Sequence, residues 1–175
     1  MLYVYTLQNS VNTAYNEFMA KRTPSYLSAL QLIGFVFVCQ AAGSVGSLFT
    51  FSAIPNWYAY LNKPFFSPPN WVFGPVWTLL YTMMGIAAYL VWKKGKGVSF
   101  WFWLQLGLNT LWSILFFGLH NPTLAFFEII LLWLAIFLSI KAFYQRSKTA
   151  AYLLVPYLLW VTFATLLNAS IAILN

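Results

Sequence analysis

Residues 57–81 read W-Y-A-Y-L-N-K-P-F-F-S-P-P-N-W-V-F-G-P-V-W-T-L-L-Y. The stretch begins as a proline-broken aromatic loop and ends inside an apolar helix. Pro64, Pro68 and Pro69 each fix φ and remove a backbone donor, so the first part cannot be regular helix. Ser67 is a suitable N-cap and Pro68 suits the first helical position, which predicts a helix starting there. The loop also carries Trp57, Tyr58, Tyr60, Phe65, Phe66 and Trp71. A solvated linker has no use for that much aromatic surface. The loop is therefore expected to lie on something apolar, either the bilayer interface or the mouth of a pocket.

Outside this stretch the chain is unusually apolar. Of its 175 residues, 62% are hydrophobic and 6% charged, against about 25% charged in soluble domains. A crossing helix needs ~20 mostly apolar residues. Five runs meet that length, at 26–51, 69–92, 98–119, 124–143 and 150–174. The fold class expected is an all-α integral membrane protein, a five-helix bundle with a long aromatic and proline-rich loop between helices one and two. The later connections are short, so those neighbours should be antiparallel and adjacent. One Cys and one His exclude a disulfide framework and a multi-ligand Cys/His metal site. Cys39 reads as a small core residue, and His120 as exposed in an H-N-P-T turn.

The formal charge of +7 does not point to nucleic acid, because the basic residues sit in short loops between apolar runs. With five spans, Lys21, Arg22, Lys93, Lys94, Lys96, Lys141, Arg146 and Lys148 all fall on one side, and only Lys63 on the other. That bias predicts a cytoplasmic N-terminus and an outside C-terminus, most simply in a bacterial cell membrane. Residues 1–20 form a separate N-terminal extension before the membrane domain, 21–175. Leu7, Val11, Ala14 and Phe18 make a helical stripe, so the extension is either an interfacial helix or a frayed tail. Met19 could serve as an alternative start, and the apolar run from Leu27 is too long for a secretory signal.

Polar groups inside lipid are costly, so their facing is informative. Gln105, Asn109, Trp112 and Phe116 share a face of the third span; Pro156, Trp160, Ala164 and Asn168 do so in the fifth, and Trp77, Tyr81 and Met84 in the second. With alternating directions, these groups converge in the half of the bundle beneath the loop. Facing inward, they would line a Trp-rich, mainly apolar cavity with a few polar handles, the chemistry of a small-molecule site. Asn109 and Gln105 can also be read as polar glue between helices. Trp71, Trp92, Trp101 and Trp103 fit an interfacial belt. Glu128, the sole acidic residue in the spans, is open to three roles: ligand-facing, proton-linked, or capping a loop backbone. Lys63 either meets a ligand carboxylate or is simply solvated. Pro75 and Pro156 are expected to kink their helices. Ala42, Gly43, Gly46 and Ser47 suit close packing, within or between chains. No Ser-His-Asp set, phosphate-binding glycine loop or carboxylate pair occurs in the spans, and no coupling-ion pathway is visible.

Several ordered motifs resemble one known family. They are W-Y-A-Y-L-N-K-P-F-F-S-P-P (57–69), V-F-G-P-V-W-T-L-L-Y-T-M-M-G (72–85), Gln105-xxx-Asn109-xx-Trp112 leading to F-F-G, and L-L-V-P-Y-L-L-W-V-T-F-A-T-L-L-N (153–168). Together they are similar to the translocator protein / tryptophan-rich sensory protein family (TspO/MBR), which includes the peripheral benzodiazepine receptor. The resemblance covers roughly 27–175. It implies a five-helix bundle, commonly a homodimer, with a pocket closed by the first loop. It implies binding of porphyrins such as protoporphyrin IX, or a haem-like tetrapyrrole, as ligand, with no required cofactor and no metal. A role in tetrapyrrole handling or stress sensing follows, as receptor or carrier. The alternatives are a light-dependent protoporphyrin-degrading enzyme and a structural or regulatory membrane protein. By resemblance, Trp77 and Trp160 match the tryptophans of the photochemistry, and Tyr58, Asn109, Trp112, Ala164 and Leu167 match pocket residues. The animal members' sterol motif has a Tyr and an Arg near the end of the fifth span. Here that region reads N-A-S-I-A-I-L-N, with Ala169 where the Tyr would be and no Arg. Cholesterol binding through that motif is not expected, which points to a bacterial-type member.

Overall fold

The computed structural model describes residues 25–175, so the expectations for residues 1–20 and the charges Lys21 and Arg22 lie outside it. Five long helices make up the described residues: α1 (Ser25–Asn56), α2 (Phe73–Val91), α3 (Phe100–Ser113), α4 (Pro122–Tyr144) and α5 (Lys148–Leu174). With the turns that extend α2 and α3, all five segments are long and apolar enough to cross a membrane. The all-α, five-span expectation therefore holds. α1 packs on α2, α2 on α5, α5 on α4, α4 on α3 and α3 on α1, which closes a ring. Met84, Phe102, Ile136, Phe143, Tyr157 and Val161 fill its interior.

In lipid the driving force between helices is close packing rather than escape from water, which favours small residues at the contacts. A Cβ on Gly85 would run into the Val36 backbone, one on Gly43 into the Tyr81 ring, and one on Gly46 into the Ser113 side chain. Gly43 and Gly46 of the α1 small-residue stripe are thus spent inside the chain, on α2 and α3. Polar ties reinforce the same contacts. Gln40 Nε2 donates to the Thr78 carbonyl and to Thr82 Oγ1, both at 2.9 Å. Thr110 Oγ1 donates to the Ala42 carbonyl at 3.2 Å.

The helix ends follow local chemistry. Asn121 caps α4 by accepting from the Leu124 N–H, with Pro122 in the first turn. Ser147 caps α5 through the Ala150 N–H. At the end of α2, Gly95 and Gly97 take φ of 81° and 64°, a region that glycine enters without a Cβ penalty. Arg146 Nη1 donates to the Gly97 carbonyl at 2.6 Å, which joins the α2–α3 loop to the α4–α5 turn at one end of the bundle.

Some boundaries differ from expectation. Ser67 is not an N-cap; its N–H closes a turn onto the Pro64 carbonyl at 3.0 Å. Pro69 stays extended at ψ 144°, a 3-10 turn follows at Asn70–Val72, and α2 begins only at Phe73. Pro69 drives Pro68, the residue before it, away from helical ψ, so the helix cannot start at Pro68. α1 runs to Asn56 rather than 51, with Pro55 inside its last turn. Pro75 falls in the first turn of α2, and α5 continues through Pro156 to Leu174, so neither proline breaks its helix.

Candidate functional site

Beneath the loop at 57–72 the bundle encloses a cavity of about 450 Å³. Tyr58, Trp77, Asn109, Trp112, Trp160, Ala164 and Leu167 all line it. Their convergence follows from helix direction: α2 descends from the loop, whereas α3 and α5 rise towards it.

The floor is a hydrogen-bonded triad across three helices. Asn109 Oδ1 accepts from the Tyr81 hydroxyl, and Asn109 Nδ2 donates to the Tyr157 hydroxyl at 2.8 Å. Asn109 is thus interhelical glue and cavity wall at once. The Trp77 ring lies 5.6 Å from Tyr81 and 6.2 Å from Tyr157, centroid to centroid. On the facing side, Trp112 stacks on Phe116 at 5.1 Å, and its Nε1 donates to Asn168 Oδ1 at 3.0 Å. Asn168 Nδ2 in turn donates to the Pro122 carbonyl at 2.7 Å, so the orientation of Trp112 is tied to the start of α4. Trp160 lies edge-on to Phe73 at 6.1 Å and beside Phe163 at 5.6 Å. Its Nε1 is buried and has no hydrogen-bond partner.

The loop is fastened down rather than draped. Trp57 stacks on His120 at 4.5 Å with the rings 17° apart, and His120 adopts φ 52° to reach it. Tyr58 is buried against Phe116 and Phe117. Burial pushes its phenol above the ordinary value, partly offset by the Ser67 side chain, although the hydroxyl makes no hydrogen bond of normal geometry. The Asn62 N–H donates to Asn175 Oδ1 at 2.9 Å, and Asn175 Nδ2 returns a bond to the Asn62 carbonyl at 3.1 Å.

The TspO/MBR family model matches residues 35–174, a span that contains every wall residue named above. The chain belongs to the TspO/MBR family. It is 48% identical over 153 residues to the tryptophan-rich protein TspO of Archaeoglobus fulgidus, covering 85% of this chain and 99% of that protein. It is 39% identical over 143 residues to the tryptophan-rich sensory protein of Cereibacter sphaeroides, covering 81% and 89% of the two chains. It is 40% identical over 143 residues to the human translocator protein, covering 78% and 85%.

In this TspO/MBR chain several singled-out residues stand away from the cavity. Gln105 is buried below it, with Nε2 facing Met84 Sδ at 3.7 Å and Oε1 unpartnered. Pro156 is exposed, because positions four apart drift about 40° per step and 156 lies some 120° round from Asn168. Lys63 is neither in the cavity nor freely solvated: its ammonium lies 4.7 Å over the Tyr58 ring. His120 is exposed as expected, yet held by its stack. Glu128 is 6% exposed, both its carboxylate oxygens lack a partner, and it does not line the cavity. With no hydrogen bond to a backbone N–H, Glu128 does not cap a loop.

Sequence reasoning missed the α1 wall, made by Gln40, Ser44, Ser47 and Thr50. The signal was present as small polar residues every three or four positions along an apolar helix. Of these four only Ser47 is singled out by the sequence, as a helix-packing residue.

Proposed function

We propose that this protein is a membrane receptor or carrier for planar, hydrophobic ligands, chiefly porphyrins such as protoporphyrin IX, in tetrapyrrole handling or stress sensing. One observation carries the reading: three indoles, Trp77, Trp112 and Trp160, face a single cavity of about 450 Å³, within the usual range for small-molecule sites. Flat π-faces suit a flat ligand. Asn109 at the floor offers its remaining amide valences for orientation. The unpartnered donors Trp160 Nε1 and Tyr58 hydroxyl would gain from an acceptor on the ligand. Membership of the TspO/MBR family adds the association with tetrapyrroles.

The test is a dark titration of the purified protein in nanodiscs with protoporphyrin IX, followed by tryptophan quenching. Saturation near one ligand per chain is expected. Quenching that rises without limit means the porphyrin only partitions into the apolar phase.

A second reading, light-dependent porphyrin breakdown, is favoured by the two indoles Trp77 and Trp160 on one cavity. Trp160→Phe keeps an aromatic ring in the wall and removes only the indole N–H, so it should keep much of the binding yet lose photodegradation. Equal degradation rates would remove the indole from that chemistry. The proposal also includes a bacterial cell membrane location, the charge-derived orientation, and residues 21–175 as the membrane domain. A homodimer, if formed, would use a face other than the α1 small-residue stripe, whose Gly43 and Gly46 pack on α2 and α3.

A further inference from the structure

A second hollow lies at the end of the bundle opposite the cavity. It is a groove of about 390 Å³ between the first turns of α1 and the connection from α2 to α3, lined by Ser28, Gln31, Trp92, Lys93, Gly95 and Gly97. Between Leu27 and Val38, α1 offers only two polar side chains, Ser28 and Gln31, and both are half-buried and line this groove. An amide in an apolar span is costly unless a partner meets it. The other α1 glutamine, Gln40, spends its amide on Thr78 and Thr82. Gln31 makes no such bond among the described residues. The facing wall is backbone: Gly95 and Gly97 take positive φ, and a Cβ on either meets nothing within 4 Å. At those two positions no side chain stands in the way, so a group as broad as a phosphate can come up against the main chain.

The charge around the groove has one sign. Lys93 lines it, with its ammonium 5.9 Å over the Tyr89 ring. Arg146 donates to the Gly97 carbonyl, which holds a guanidinium against the same connection. Among the described residues the only Asp or Glu is Glu128, and it lies in the other half, six residues into α4 or about 9 Å from its start. No carboxylate side chain among the described residues therefore competes at this end. The level of the groove narrows the partner. α2 leaves regular helix at Val91, and the exposed Trp92 packs on Phe35 at 5.9 Å, so the groove sits at the height of an interfacial indole. Leu27 and Gly34 flank Ser28 and Gln31 on the same stripe of α1 and are exposed, which gives acyl chains a flat surface. A cation, an amide and a hydroxyl beside bare backbone and an apolar flank suit a phosphate diester on an acylated glycerol. α1 is also the least buried of the five spans, so it gains most from a lipid that bridges it to the bundle.

We propose that this groove binds the phosphate headgroup of an anionic phospholipid, which ties α1 to the α2–α3 connection. The test titrates the full chain, delipidated in detergent, with short-chain phosphatidylglycerol or phosphatidylcholine and counts bound lipid by native mass spectrometry. One phosphatidylglycerol per chain is expected, with phosphatidylcholine at least about fivefold weaker. Lys93→Gln removes the charge in the groove and Gln31→Leu removes the amide; each should weaken phosphatidylglycerol about fivefold. Gln31→Leu is an apolar change in a membrane helix, so it keeps the test decisive if Lys93→Gln fails to fold. Lys141→Gln removes a charge at the same end but outside the groove, and should leave binding within about twofold. Equal losses in Lys93→Gln and Lys141→Gln, unchanged binding in Gln31→Leu, or no preference for phosphatidylglycerol would overturn the site and leave only diffuse attraction to charge. Glycerol phosphate that displaces the lipid at equal concentration would overturn the lipid as occupant and put a soluble phosphate in its place.

Discussion

At the scale of the residue, Asn109 is the most constrained group. It alone joins the Tyr81 and Tyr157 hydroxyls. Asn109→Ala leaves two buried phenols unpaired and should cost about 2 kcal/mol of stability. Thermal unfolding in detergent would read this, and Asn109→Ala with Tyr157→Phe should destabilise less than the sum of the two. Glu128 behaves oppositely. A buried carboxylate without a partner is a liability, so Glu128→Met should raise stability by about 1 kcal/mol; a lower unfolding temperature would reveal a partner for the carboxylate. Helical spacing alone put Trp77, Asn109, Trp112, Trp160 and Ala164 on inward faces, whereas Tyr58 and Leu167 were reached only through the family resemblance; all seven line the cavity. The triad was not legible in sequence. Spacing says which face Tyr81 or Asn109 occupies, but not which hydroxyl on another helix meets it. Glu128 shows the same limit, since depth and polarity left three roles open that only its surroundings could separate.

At the scale of the element, two glycines on α1 and α2 differ in what surrounds them. Gly43→Leu drives a side chain into the Tyr81 ring and should destabilise by about 1–3 kcal/mol. Gly74→Leu enters open space and improves helix propensity, so it should be neutral or stabilising by up to about 1 kcal/mol. The unfolding temperatures of the two variants check this, and equal losses would contradict the difference in packing at the two glycines. The five spans were readable because ~20 apolar residues in a row have few other uses. The start of α2 was misread because two signals compete there: Ser67-Pro68 invites a helix, and Pro69 forbids Pro68 from joining it. The α1 wall was not read from sequence, because Ala42, Gly43, Gly46 and Ser47 fit helix packing and a cavity wall equally well until their neighbours are known.

At the scale of the molecule, the basic residues Lys93, Lys94, Lys141, Arg146 and Lys148 gather at the end where Arg146 ties two connections together, and Lys63 stands at the other. The charge bias predicts that Lys94→Cys in intact bacterial cells resists a membrane-impermeant thiol reagent, whereas Lys63→Cys reacts. The reverse labelling would invert the orientation. The ring of five helices also places this cavity in the half beneath the loop. Helices that touch through glycine and buried aromatics at the basic end leave the loop end to be filled by indoles, hydroxyls and a fastened lid.

The central claim is that the cavity beneath this lid is where a planar ligand sits. The most direct measurement repeats the dark protoporphyrin titration with Trp77→Phe/Trp160→Phe beside wild type, following porphyrin absorbance so that the lost indoles do not change the probe. The account predicts saturation near one per chain in wild type and at least tenfold weaker binding in the double variant. Equal affinity in both proteins would place the ligand elsewhere and contradict it.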